Sequence, residues 1–414
     1  MIEYECYCCL CCGPIVRTQV GSSSPYVLRK RRERVEMRRL AQMTGDPYNS
    51  VLNLYEDEYD EVIDISEELT TYDPDLATGE RTHWIKSLQV LGFNPEAIGP
   101  SKCEYKRGRG MIEVPNGSDP NQPSVDADTY YNCYKSENGN DVVFPFHCKC
   151  MAVLKKVYEW SLSHTSYKRV KSLDSAEIDM DSLYFAFAAL SEGFNTFLDL
   201  DYGNFFGADE FWISIPGEEW TATDPLSSAV ETIELPLVST ASRSLYSRVR
   251  SSSDAFGAIP NEILHIICDY LSVEDLSSFL IASFVVHCAT LEPAFWKSLG
   301  SSRLPWAWDL WERTTRHESQ SELPIDYKKL YFLVEARTSH PYGMTISLGD
   351  WMSLANRRRI WTACLDLLPH YFDSVEEGET EETIPSDSAD AAIEGEPLST
   401  ALLFDAVYPG SDED

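Results

Sequence analysis

Residues 256–300 read FGAIPNEILHIICDYLSVEDLSSFLIASFVVHCATLEPAFWKSLG, and this stretch decides how the chain is organised. Pro260 suits the first turn of a helix, where its missing N–H has no helical partner in any case. Ile263, Ile266, Ile267, Tyr270 and Leu271 then recur at helical spacing along one face. Ser272, followed three residues later by Asp275, resembles a capping box that starts a second helix through Leu276, Phe279 and Leu280. Pro293 opens a third, which carries Phe295 and Trp296. Helices this short are marginal alone in water, so the three must pack on one another and on something else.

These residues resemble the F-box. The family pattern is met here by Ile259, Pro260, Glu262, Ile263, Leu264, Ile267, Tyr270, Leu271, Asp275, Leu276 and Trp296, with Ile259 where Leu is usual. The resemblance implies a three-helix module that binds a Skp-type adaptor, and through it a cullin–RING ubiquitin ligase, with these eleven residues as the adaptor-binding set. Leu280 and Phe284 stand where the fungal variety of the family carries Arg. Outside the module, LDLDYG, FWISIPGEEW and DPL between Leu198 and Leu226, and NRRRIW over Asn356–Trp361, look like a large family of filamentous-fungal F-box proteins. In those proteins a Cys-containing N-terminal domain precedes the F-box and a helical region follows it.

Working outward, residues 236–255 are rich in Ser and Arg and poor in core-forming side chains, as a linker would be. Before them, residues 82–91 are predicted to form a helix with Trp84, Ile85, Leu88 and Leu91 on one face and Gly92 ending it. The Gly/Pro/Asn-rich stretch 99–140 is expected to be loop with short strands such as Met111–Val114. A helix from about His147 carries Met151, Leu154, Tyr158 and Leu162, and a buried one spans Asp181–Leu190. After the central module, helices are expected near 326–337 and 350–368. The fold class is therefore α+β: a mixed N-terminal domain over 1–235, the linker, a three-helix module over 256–300, a helical region over 301–372 and a disordered acidic tail over 373–414.

The 414 residues carry 34 basic and 67 acidic side chains, a net charge of −33. Glu56–Glu80 holds eleven acids and Asp373–Asp414 fourteen, both without Lys or Arg, so the charge lies mostly in two segments. This balance argues against general nucleic-acid binding, which needs a basic surface. The opposing island, Arg29 to Arg39, reads either as a nuclear-localisation or anion-binding patch or as a solvated helix face paired with Glu33 and Glu36. No cationic leader opens the sequence, and the longest apolar stretch, Phe279–Leu291, is too short for a bilayer span. The expectation is a soluble protein of the nucleus and/or cytoplasm with no membrane association.

Five of the twelve cysteines fall between Cys6 and Cys12. Without a secretory context, metal binding or reduced thiols are favoured over disulfides. Cys8 and Cys11 form one closely spaced pair, with Cys9 and Cys12 as the overlapping alternative; His147 and Cys150 form a second. Together they make a Cys₃His set suited to one structural zinc, for which Cys148, Cys103 or Cys133 are substitutes. The alternatives are reduced thiols around a packed His147, or S-acylation beside the basic island. The family resemblance favours Cys8, Cys11, His147 and Cys150. No catalytic motif is present: HExxH, GxSxG, GxxxxGK[ST] and GxGxxG are all missing. The implied role is thus that of a substrate receptor, without catalytic residues, holding an unknown protein target for the ligase. The competing readings are an adaptor-bound scaffold outside the ligase and a zinc-containing protein with another role, including a metalloenzyme.

Overall fold

The computed structural model describes residues 7–15, 29, 32, 72–93, 109–114, 142–164, 177–191, 198–202, 217–238, 254–320, 323–339 and 349–382. Over these residues the fold is mixed α+β, mostly helical with one small antiparallel sheet. The Glu56–Thr71 part of the acidic stretch, Cys103, Cys133 and residues 383–414 of the tail lie outside the described set. So does the basic island apart from Arg29 and Arg32, both helical; Arg32 pairs with Asp75 at 3.0 Å on the surface.

The expected helix over 82–91 is corrected. Helix α1 covers only Gly79–Thr82, a 3₁₀ turn follows at His83–Lys86, and Leu88–Phe93 is strand β1. β1 is the middle strand, flanked by β2 (Arg109–Val114) and β3 (Phe144–His147), both antiparallel to it. A strand covered on both faces loses the in–out alternation that marks strands in sequence, so Leu88, Val90 and Leu91 read equally well as helix. Gly92 does not end a helix. It permits close approach within the sheet, since a Cβ there would come within 2.5 Å of the Val143 side chain.

Helices α2 (Cys148–His164) and α3 (Met180–Leu190) lie where the sequence places them, and α3 buries Leu183, Tyr184, Ala186, Phe187 and Leu190. The segment 217–238 contains 3₁₀ turns at Glu219–Ala222 and Ser228–Thr232. The start of the expected linker is not loose: Leu237 bridges Ile325, and the Val238 amide donates to the Pro324 carbonyl at 2.9 Å. Residues 239–253 are outside the described set.

The module over 256–300 contains four helices, not three: α4 (Asn261–Tyr270), α5 (Val273–Ala282), α6 (Phe284–Ala289) and α7 (Pro293–Arg303). The extra one arises at Ser283, whose hydroxyl accepts from the Val286 amide at 3.1 Å and is held by Asp254 at 2.8 Å. Ser272 caps α5 as expected, accepting from the Asp275 amide at 3.0 Å. Helices α8 (Trp308–Gln320) and α9 (Tyr327–Thr338) follow.

The last helix, α10, spans Met352–Glu382, well past the expected end at 368 and into the expected tail. It passes through Pro369, although an interior proline costs a helix ~3 kcal/mol. Tyr371 and Phe372 beyond it are buried against Tyr158 of α2, with ring centroids 5.7 and 6.2 Å apart, which rewards continuation of the helix. α10 also packs on α3 and on the Glu219–Ala222 turn. The core therefore does not follow the linear order of segments. One connected cluster joins the cysteine loop, the sheet, the central helices and α10.

Candidate metal centre and an uncovered helical face

Tyr7–Pro14 forms a tight loop closed by an antiparallel bridge between its ends, with the Cys8 amide donating to the Gly13 carbonyl at 2.9 Å. Cys12, at φ 53°, supplies the left-handed residue of the turn. The loop lies along the outer edge of β3, where the Cys9 amide donates to the Pro145 carbonyl at 2.8 Å. This juxtaposition brings Cys8 and Cys11 to His147, the last residue of β3, and to Cys150 in the first turn of α2. The ligating atoms of Cys8, Cys11, His147 and Cys150 all lie within 4.8 Å of one another, and all four residues are buried.

The donor chemistry fits one metal ion. Tetrahedral zinc with bonds of ~2.3 Å to sulfur wants ligand atoms roughly 3.8 Å apart. Here Cys11 Sγ and Cys150 Sγ stand 3.4 and 3.9 Å from His147 Nδ1. The histidine tautomer is set by its other nitrogen. Nε2 lies 3.1 Å from the Pro14 carbonyl, which can only accept, so Nε2 carries a proton and Nδ1 is the nitrogen that would give its lone pair to a bound metal. Trp84 packs edge-on against the imidazole at 4.6 Å. Two backbone amides point at the sulfurs: Gly13 N–H to Cys11 at 3.3 Å and His147 N–H to Cys8 at 3.4 Å. Such bonds favour thiolate over thiol. These four residues can hold one structural metal ion such as zinc, and a four-donor set is of the closed, structural kind.

The electrostatics describe a cluster that wants positive charge at its centre. Burial pushes the Cys8 thiol up, but hydrogen bonds from Cys11 and Cys150 and the His147 charge bring it well below the ordinary thiol range. Burial pushes His147 down, yet the sulfurs of Cys8 and Cys11 hold it up at about 10. Cys150 and Cys12 are both raised, chiefly by burial.

The overlapping pair Cys9 and Cys12 is not brought to His147, and Cys148 is outside the cluster as well. Cys8, Cys9, Cys11 and Cys12 are all buried, which removes them from acylation in the folded chain. Sequence reasoning missed what surrounds the ligands. Arg359 of α10 donates to the Cys11 carbonyl at 2.5 Å, and Tyr202 donates to the Cys9 carbonyl at 2.7 Å. Cys364, also on α10, is buried and raised by that burial, then by the charges of Cys8 and Cys11. The signal for Arg359 was present in the NRRRIW phrase, but nothing local ties that phrase to a loop 348 positions earlier.

The adaptor-binding candidates divide into two groups. Leu264, Leu276 and Trp296 are core residues, and Ile259, Ile267 and Leu271 are half-buried. Pro260, Glu262, Ile263, Tyr270 and Asp275 face outward. On α4, Ile263, Ile266 and Tyr270 are 46, 51 and 85% exposed, while Leu264 and Cys268 on the opposite side are buried. Ile281 at the end of α5 is 84% exposed. Leu280 is buried, and Phe284 is at the surface. No helix among the described residues is long and apolar enough to cross a membrane.

Compared with known proteins, the chain matches no family model, no curated protein and no solved structure.

Proposed function

We propose that this chain is a substrate receptor of the F-box type, linking a target protein to a cullin–RING ubiquitin ligase through a Skp-type adaptor. The observation that carries this reading is the uncovered face of α4. A ten-residue helix that buries Leu264 and Cys268 inward and still presents Ile263, Ile266 and Tyr270 to water is built to be covered on its second side. The pattern from Ile259 to Trp296 supports the adaptor as the covering partner. The action of such a receptor is positional: it raises the effective concentration of a target beside the ubiquitin-carrying enzyme and does no chemistry itself.

Co-purification with a Skp-type adaptor tests the proposal. The double variant Ile263→Asp, Tyr270→Asp changes only exposed side chains, so it is expected to fold as wild type and to lose binding by ~10-fold or more. Wild-type chain that folds but retains no adaptor sinks the proposal. Retention of the adaptor together with a cullin supports the ligase role, and retention without a cullin points to a scaffold outside it.

A further inference from the structure

We infer that Arg359 is a positioning residue of the metal centre, holding the Cys11 ligand loop by its carbonyl and offsetting the charge of the filled Cys₃His site. The inference rests on the metal reading of the four-residue cluster and is independent of the adaptor proposal. Three thiolates and one divalent cation leave a net negative charge, enclosed here by buried side chains, where charges are screened far less than in water. A buried cation directed at that site lowers the cost of forming it.

The geometry aims Arg359 there. Its Nη1 donates to the Cys11 carbonyl at 2.5 Å, and Nη2 donates to Asn356 Oδ1 at 2.9 Å. Asn356 is itself fixed, because its Nδ2 donates to the Thr223 carbonyl at 2.7 Å and thereby turns Oδ1 toward the arginine. The two neighbouring arginines go elsewhere: Arg357 to Asp309 and Arg358 to Glu335. Arg359 alone of the three reaches the ligand loop. Because Arg359 sits on α10, metal affinity and the docking of α10 become linked. Whatever tightens one tightens the other by the same factor.

The test uses the full chain loaded with zinc, its affinity read by competition with a chromogenic chelator. Cobalt in place of zinc reports the thiolate count through sulfur-to-metal absorption. Arg359→Met is expected to weaken zinc binding by ~10–100-fold, the usual cost of losing an outer partner of a ligand, while the cobalt spectrum keeps its three-thiolate character. If Arg359→Lys retains wild-type affinity, charge carries the effect; if it falls as far as Met, the guanidinium held by Asn356 and directed at the Cys11 carbonyl does. Affinity of Arg359→Met within about twofold of wild type overturns the inference. Wild type that takes up neither zinc nor cobalt overturns the metal centre itself, a distinct result. Should the Met variant fail to fold, wild type alone decides. Amide exchange over residues 354–366 is expected to quicken when zinc is chelated, and unchanged exchange there is incompatible with the linkage.

Discussion

Arg357, Arg358 and Arg359 are consecutive on α10, and each reaches a different part of the molecule. Arg357 donates to the Pro225 carbonyl at 2.7 Å, forks onto Asp309 at 2.6 and 2.8 Å and lies 4.3 Å from the Trp308 ring centre. Arg358 meets Glu335 at 2.6 Å, and Arg359 holds the cysteine loop. Lysine cannot reproduce a buried fork, so Arg357→Lys is expected to recover less than half of the stability lost in Arg357→Met. That loss is expected at about 2–4 kcal/mol in urea denaturation, because Asp309 loses its ion-pair partner and the Pro225 carbonyl its arginine donor. An unchanged unfolding midpoint in Arg357→Met contradicts this account of the junction.

Glu218 is a second residue with a measurable signature. It is buried, its Oε2 has no partner among the described residues, and burial, then the charge of Glu219, push it up to about 7, with Arg359 opposing. Glu219 accepts from the Asp73 amide at 2.8 Å beside it. A carboxyl raised on folding keeps its proton longer in the native state, so its stabilising effect is full below the unfolded value and is lost as pH rises through about 7. Glu218→Gln is therefore expected to gain on the order of 1–2 kcal/mol over wild type between pH 5 and pH 8, after allowing for solvent screening. Parallel stability–pH curves for the two proteins count against the assignment.

At the scale of the element, the proposed adaptor role would separate folding from recognition in α4 and α5. Ser272 caps α5, and Ser272→Ala is expected to cost about 1 kcal/mol in thermal denaturation without weakening partner binding per folded molecule. Tyr270→Asp is expected to do the opposite, leaving the midpoint in place and removing a contact. If Tyr270→Asp unfolds the module, the side chain is structural and the outward face is misread. The sequence shows that α4 is apolar but not which of its stripes is turned inward. Ile263, Ile266 and Tyr270 look like its core face by periodicity, yet the fold buries Leu264 and Cys268. β1 fails to be legible for a related reason: with Leu88 and Val90 buried on one face and Leu91 on the other, it has no alternation to read.

Over the whole molecule, α10 closes the N-terminal core from the far end of the chain. Through Tyr371 and Phe372 it meets α2, through Ser353 and Asn356 it meets the carbonyls of Asp224 and Thr223, and through Arg359 it meets the metal loop. Binding energy at a site assembled from residues so distant in sequence becomes folding energy. Chelation is thus expected to lower the thermal midpoint of the wild-type chain and zinc to restore it, whereas Cys150→Ser is expected to abolish the difference. A midpoint indifferent to chelator in a protein shown to carry zinc contradicts that coupling.

The amino-acid sequence alone was enough to mark a CxxC pair, at Cys8–Cys11 or the overlapping Cys9–Cys12, and HxxC at His147–Cys150, together with the cap at Ser272, a helix from about 147 and another over 181–190. Each of these is a local signal, carried by spacing, capping or periodicity within a few turns of chain. Only the tertiary structure decided that β1 is a strand, that α10 runs through Pro369, that Arg359 faces Cys11 and that one stripe of α4 remains uncovered. Those outcomes depend on which surfaces meet across hundreds of residues. Burial by a distant partner can override a local preference worth a few kcal/mol, and nothing in the local sequence names that partner.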